Sequence, residues 1–397
     1  MIKHVVLAVA VMAIGAAGGI GEDTMAVRYI LDRNNLTGTA VSSVADTAGG
    51  RVVGLFLTQK GITECPDTIG SLDGLITLNV DNNALPVLPE EIGRLRNLKV
   101  LKASNNKLTA LPAALVSCSL LTRCEADGNT IAAFPDGMSS LDRLEYLSLR
   151  SNRLRVIPRT VSELRALRFL YADHNEITAI DERVDTLPEL EVLSLNNNAL
   201  TNYPATWCQL PKLRKLDLTS NKLLSLPDEI SDLTALTDLY LSGNRLTGLP
   251  ETMMYLKNLQ WLYVDNNRIG HLGNEIASLP KLQWLSVAGN ELAELPDNLG
   301  DLEHLAVLSV SYNKLTALPE SIGRLGELRV FRCNSNLLDS LPASIINLER
   351  LDFKRGGEEY GTLQIMNNRL CSLPEKTVEW ADRYCPGWRE SQQCDSR

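Results

Sequence analysis

Apolar residues return along this chain in a fixed frame. From Val52 onward, the pattern Leu-x-x-Leu-x-Leu-x-x-Asn-x-Leu recurs every 23 residues. Its first positions are Leu75, Leu98, Leu121, Leu144, Leu167, Leu190, Leu213, Leu236, Leu259, Leu282, Leu305 and Leu328. Alternation within the frame has the period of a strand with one buried face, so Leu147 and Leu149 point inward while Tyr146, Ser148 and Arg150 point outward. Each unit continues into a Leu-Pro-x-x-Ile-x-x-Leu half, such as Leu88-Pro89-Glu90-Glu91-Ile92 or Leu318-Pro319-Glu320-Ser321-Ile322. That half predicts a turn of α- or 3₁₀-helix, with Pro at the first helical position. A period of this size means stacked supersecondary units, none able to bury its apolar face alone. The expected fold is a right-handed α/β solenoid with a parallel sheet. Strands about 4.8 Å apart give about fourteen repeats an inner sheet on the order of 65 Å long. Outer arcs bulkier than the strands would bend the stack into a horseshoe, with the sheet on its concave side.

Asn stands at the ninth position of thirteen repeats, from Asn83 through Asn198 to Asn336 and Asn368. Where each strand turns away, buried backbone groups lose their partners, and an amide supplies both a donor and an acceptor. The Asn column therefore reads as a structural ladder and not as a binding stripe. Departures are few. Lys60 replaces Asn in the first repeat, Asp181 and Gly273 replace Pro, and the frame slips once at a nine-residue insertion, residues 351–359.

The ends follow different rules. Met1-Ile2-Lys3-His4 precedes an uncharged apolar run from Val5 to Ala17, and the small residues Gly15, Ala16, Ala17, Gly18 and Gly19 offer a cleavage site, which reads as a signal peptide over residues 1–20. The run is too short for a comfortable membrane span, and no second apolar stretch of that length follows. Residues 21–51 form an N-terminal cap in which Asp23 caps a helix whose Val27, Ile30 and Leu31 share one side. Repeats occupy 52–374, and 375–397 form a C-terminal cap, with Pro374 starting a segment that carries Val378, Ala381 and Tyr384 at helical spacing. Cys65, Cys118, Cys124 and Cys333 stand where other repeats carry an inward Leu, and Cys208 adjoins the inward Trp207, so these read as small core residues. Cys371, Cys385 and Cys394 cluster within the last 27 residues, outside the regular array, and read as a disulfide-stapled end cap in an exported protein. The reading pairs Cys371 with Cys394 and leaves Cys385 spare; the other pairings stay open.

The repeats resemble the leucine-rich repeat family, and the Leu-Pro-x-x-Ile half is similar to the Ras-suppressor and scribble type. The ends resemble secreted bacterial leucine-rich repeat proteins, through Leu31-Asp32, Gly49-Gly50-Arg51-Val52-Val53-Gly54-Leu55, and the tail Trp380 to Trp388 with Gln393-Cys394. The second resemblance implies exported interaction proteins. The first implies an intracellular signalling scaffold that binds a small GTPase or phosphatase.

Aromatic residues are uneven on the outward strand positions. Tyr146, Phe169 and Tyr171 fall on adjacent strands, as do Tyr240, Trp261, Tyr263 and Trp284, with Tyr312 nearby; these are eight of the chain's twenty aromatics. Arg123, Arg150, Arg153, Asp173, Lys215, Asp217, Asp238, Arg245, Asp265 and Arg268 join them. Such rings also stabilise a sheet without any ligand. Aromatics with Arg on a concave face are equally the composition of interaction hot spots. A formal charge of −9 and a pI near 5.2 argue against general binding to nucleic acid or an anionic membrane. His4, His174, His271 and His304 are scattered, and no metal, nucleotide or nucleophile motif appears, so neither catalysis nor a cofactor is expected. Asp127, Asp173, Asp217 and Asp238 lack the alternating-oxygen loop that calcium takes. Asn35-Leu36-Thr37 is a glycosylation acceptor in a eukaryotic source. The expected function is an exported, non-catalytic module holding a protein or peptide on its concave face, with a surface glycan as the chemical rival.

Overall fold

The computed structural model describes residues 19–182, 187–351 and 362–394. The expected signal peptide before Gly19, and residues 352–359 of the expected insertion, lie outside these. The chain divides into two compact units, Met1–Asn198 and Ala199–Arg397.

The first unit opens with helix α1 (Ile20–Arg33), which buries Ala26, Val27, Ile30 and Leu31. Asp23 does not cap this helix, which starts three residues earlier, after Gly19. Its carboxylate is 1% exposed and instead accepts from Arg51 Nε at 2.9 Å and Val52 N at 2.7 Å. Tertiary pairing has taken over the role assigned to local capping. Strands β1 (Ala45–Ala48) and β2 (Arg51–Phe56) pair antiparallel, with an irregularity between Asp46 and Thr47. Such a bulge at the sheet's first strand discourages further pairing. Parallel strands β3 (Thr77–Asn79), β4 (Val100–Lys102), β5 (Arg123–Glu125) and β6 (Tyr146–Ser148) follow. In the outer arcs come β7 (Val156–Ile157), α2 (Arg159–Ser162) and β9 (Ala179–Ile180), with β7 and β9 forming a small second sheet. Strands β8 (Phe169–Tyr171) and β10 (Val192–Ser194) complete the unit's main sheet.

The second unit continues with β11 (Lys215–Asp217), β12 (Asp238–Tyr240), β13 (Trp261–Tyr263), β14 (Trp284–Ser286), β15 (Val307–Ser309), β16 (Val330–Arg332) and β17 (Leu363–Gln364), in sequential parallel order. Register advances by one repeat at each step, Leu239 opposite Leu262 opposite Leu285. Phe331 faces Leu363, so the final step is longer by the nine inserted positions. Helix α3 (Glu375–Tyr384) packs against the outer turn Ala343–Asn347 of the repeat before it. Its buried stripe is Thr377, Trp380, Ala381 and Tyr384, with Val378 only half-buried, one position away from the expected face. Cys371 and Cys394 form a disulfide with Cα atoms 5.7 Å apart, and Cys385 remains a buried thiol.

The outer arcs are mostly 3₁₀ turns, such as Glu90–Arg94 and Glu320–Arg324. Pro sits one position earlier than expected, as the residue before the turn, where its carbonyl accepts the first turn bond (Ile92 N to Pro89 O, 3.1 Å). The Gly after Ile lets neighbouring arcs touch, since a Cβ on Gly93 would lie 2.6 Å from the Ala114 carbonyl oxygen. The Asn ladder is present in both units. Asn290 donates to Val264 O at 2.9 Å and Val287 O at 3.1 Å, and accepts from Ile269 N at 3.0 Å. Cys118, Cys124, Cys208 and Cys333 are fully buried, whereas Cys65, beside the N-terminal cap, is only half-buried.

Candidate functional site

Third and fifth positions of each repeat project from the strands, and the seventh and eighth follow where the chain turns away. Alternation fixes these directions, because the leucines between them fill the core. In the first unit this brings Tyr146, Phe169 and Tyr171 together, with ring centroids 6.0 Å (Tyr146–Phe169) and 5.4 Å (Tyr146–Tyr171) apart. The unit's own cations cover these rings. Arg123 lies 3.6 Å from the Tyr146 centroid and Arg150 3.9 Å from that of Tyr171. Arg150 also donates to Asp173 at 2.8 Å, and Arg123 to Glu125 at 2.5 Å. Burial and the nearby Tyr146 hold the Tyr171 phenol above its ordinary pKa. This group is largely satisfied from within.

In the second unit Tyr240 and Tyr263 stack, centroids 5.0 Å apart and 10° from parallel, and Tyr263 meets Trp284 at 5.4 Å. Trp261 stands in register between Asp238 and Trp284. All four rings are half-buried. Lys215 approaches Tyr240 at 4.7 Å, and the Tyr240 hydroxyl donates to Asp238 at 3.2 Å. Burial, then Asp238, pushes the Tyr240 phenol up to about 12; burial, then Asp265, raises Tyr263. Both therefore stay neutral at ordinary pH and keep a hydroxyl donor. The Trp284 indole N–H is buried without a partner among the described residues. Arg153, Arg245 and Arg268 stand exposed at the ninth position's neighbours and join neither ring group.

The charged residues divide differently from what sequence suggests. Asp127 accepts from Ser148 Oγ at 2.6 Å and Arg150 N at 2.8 Å; Asp265 accepts from Ser286 Oγ at 2.5 Å and Ala288 N at 2.8 Å. Asp173 accepts from Ser194 Oγ and Asn196 N in the same way. Each carboxylate thus ties one repeat to the next strand. Ser148 is outward, as expected, yet fully covered by this bridge. The signal was available in sequence as Asp at a seventh position followed by Ser 21 residues later.

Tyr312 stands apart from the stacked rings, 63% exposed, with φ of +57°. The eighth position is left-handed in many repeats, held there by Asn82, Gly243 or Asn266, types that tolerate it. A bulky Tyr is costly at such a place. Beside it opens a groove of about 360 Å³, bounded by Ala288, Ser309, Ser311, Arg332, Asn334 and Gln364. No sequence pattern announced this groove. Among the described residues, no group of three or more His, Cys, Asp or Glu side chains could hold a metal, and no helix is long and apolar enough to cross a membrane.

The sequence matches the Leucine rich repeat family over residues 127–177, 188–246 and 234–292, and Leucine-rich repeat region over 270–375. A leucine-rich repeat protein of Leptospira interrogans is similar at 31% identity, with 84% of this chain and 94% of that one covered and a TM-score of 0.67. A TDR receptor is similar at 26% identity, with a TM-score of 0.69; the match covers 86% of this chain and 63% of that one. An internalin, InlF, from Listeria monocytogenes shares the fold at 20% identity, with 85% and 97% covered and a TM-score of 0.64. No curated protein matches.

Proposed function

The chain belongs to the leucine-rich repeat family, and on that premise we propose that it is an exported, non-catalytic module that grips a protein or peptide on its sheet face. The observation that carries this reading is the half-buried ring cluster of Tyr240, Tyr263 and Trp284, with Trp261 in register. Rings standing on a solvated sheet face offer large contact area at low entropic cost, which is what binding hot spots use. Binding centres on the second unit. In the first unit Tyr146, Phe169 and Tyr171 serve as a lesser contact area, because Arg123 and Arg150 already lie over two of the rings. The likeness to a TDR receptor is in keeping with a recognition role.

The export reading rests on the apolar leader and on the Cys371–Cys394 bridge, which suits an oxidising compartment. Mass measurement of the mature chain tests it, and an intact leader would favour the intracellular scaffold instead. For the binding face, the double substitution Trp261→Ala with Trp284→Ala should abolish capture of a partner that the native chain retains, with the thermal transition still cooperative. Undiminished capture defeats the placement.

A further inference from the structure

Three repeats contain a carboxylate that receives two hydrogen bonds from the next strand: a Ser hydroxyl at the fifth position and a backbone N–H at the seventh. In the repeat beginning at Leu282 the seventh position is Ala288, so the carboxylate is missing. Its two donors are still in place. Ser309 occupies the fifth position of the next repeat and Ser311 the seventh, and they are 7% and 4% exposed. Among the described residues, neither Ser309 Oγ nor Ser311 N has a hydrogen-bond partner; the Ser311 hydroxyl is engaged with Asn334 Oδ1 at 2.6 Å. The groove of about 360 Å³ opens over Ala288, where an Asp side chain would have stood. Arg332 and the amides of Asn334 and Gln364 line it.

We propose that this groove receives a carboxylate of the peptide ligand, which takes the place that Asp127, Asp173 and Asp265 fill in their own repeats. This rests on the sheet-face reading above and gives it polarity: aromatic side chains lie on Tyr240, Tyr263 and Trp284, and an acidic group lies toward Gln364. Five strand steps separate Tyr240 from Gln364, on the order of 24 Å, which about seven extended residues would span. A carboxylate is a stronger acceptor for the two neutral donors than an amide oxygen, because hydrogen bonds to a charged acceptor are the stronger kind.

The test uses the isotope-labelled full chain and two small probes, acetate and acetamide, followed through the Ser311 amide resonance. Acetate should shift it saturably and acetamide should not. Ala288→Asp should show a shifted Ser311 amide without any probe, with no response to acetate, and should melt no lower than the native chain. A Ser311 amide indifferent to acetate, or moved equally by acetamide, overturns the inference. Short aromatic peptides then identify the source. One carries an internal Asp and an amidated end, another an Asn and a free end, and a control lacks both carboxylates. One of the first two should bind at least about tenfold more tightly than the control, and Ala288→Asp should erase the difference. If Trp261→Ala with Trp284→Ala abolishes peptide binding while Ala288→Asp leaves it unchanged, the carboxylate subsite falls and the aromatic face stands. If Ala288→Asp alone abolishes it, the groove stands and the aromatic face falls.

Discussion

Replacing Asn290 by Leu keeps approximate volume and removes every hydrogen bond that the ladder makes at one rung. The native amide is 7% exposed, donates to Val264 O, Val287 O and Ala288 O, and accepts from Ile269 N. The substitution therefore leaves the Ile269 N–H unpaired, while the Val264, Val287 and Ala288 carbonyls each keep one donor, Asn267 Nδ2, Asn313 Nδ2 and Asn266 N. That unpaired group costs about 1–3 kcal/mol and the weakened carbonyl bonding about 1 kcal/mol more, so the loss is about 2–4 kcal/mol, offset by roughly 1 kcal/mol from the extra apolar side chain. In a chain of this size the net shift in melting temperature is small, on the order of 1–4 °C. Because solenoids can open locally, hydrogen exchange at Ile269 is the sharper assay, and that amide should lose protection more than its neighbours do. Asn97→Leu is the control, since it removes a single exposed bond to Asp73 O at 2.9 Å. If the two variants melt alike and Ile269 keeps its protection, the ladder does not stabilise this fold as argued.

Tyr312→Asn should stabilise the chain by about 1 kcal/mol, because Asn tolerates a left-handed backbone better than Tyr. It should also weaken ligand binding, so a variant that gains stability and loses nothing in affinity would remove Tyr312 from the site. Cys371→Ser should cost about 3 kcal/mol by freeing the 23-residue loop to Cys394; an unchanged urea midpoint would show that α3 holds the cap unaided. Glu125 is lowered from the usual Glu range: burial opposes this, but hydrogen bonds from Arg123 and Lys102 outweigh it. A depressed acid contributes stability that is present above its unfolded pKa and lost as pH falls through its folded one. The acid side of the stability profile should therefore flatten in Glu125→Gln, and equal slopes in the two proteins would contradict the pairing.

The fold was legible because one period governs nearly every residue, and Leu and Asn alone carry both the core and the strand ends. Local patterns failed where partners are distant in sequence. Asp23 sits before an apolar run and looks like a cap, but its partners are Arg51 and Val52, which no local window contains. The ring residues were visible as aromatics that the repeat does not require. That two of them are covered by guanidinium groups was not, because Arg123 and Arg150 reach across strands. The groove is the instructive omission. It exists because Ala288 stands where three other repeats place an Asp that holds a Ser hydroxyl, an absence that becomes meaningful only once the Asp–Ser bridges are seen.

The central claim is that the second unit's sheet face, and not its outer arcs, meets the partner. A photoreactive residue placed at Tyr263 on the sheet face, or at Tyr255, 57% exposed on the outer Glu251–Tyr255 turn, tests it directly in the full chain. The account predicts a partner adduct from position 263 and none from 255. Adducts from 255 with none from 263 would contradict it.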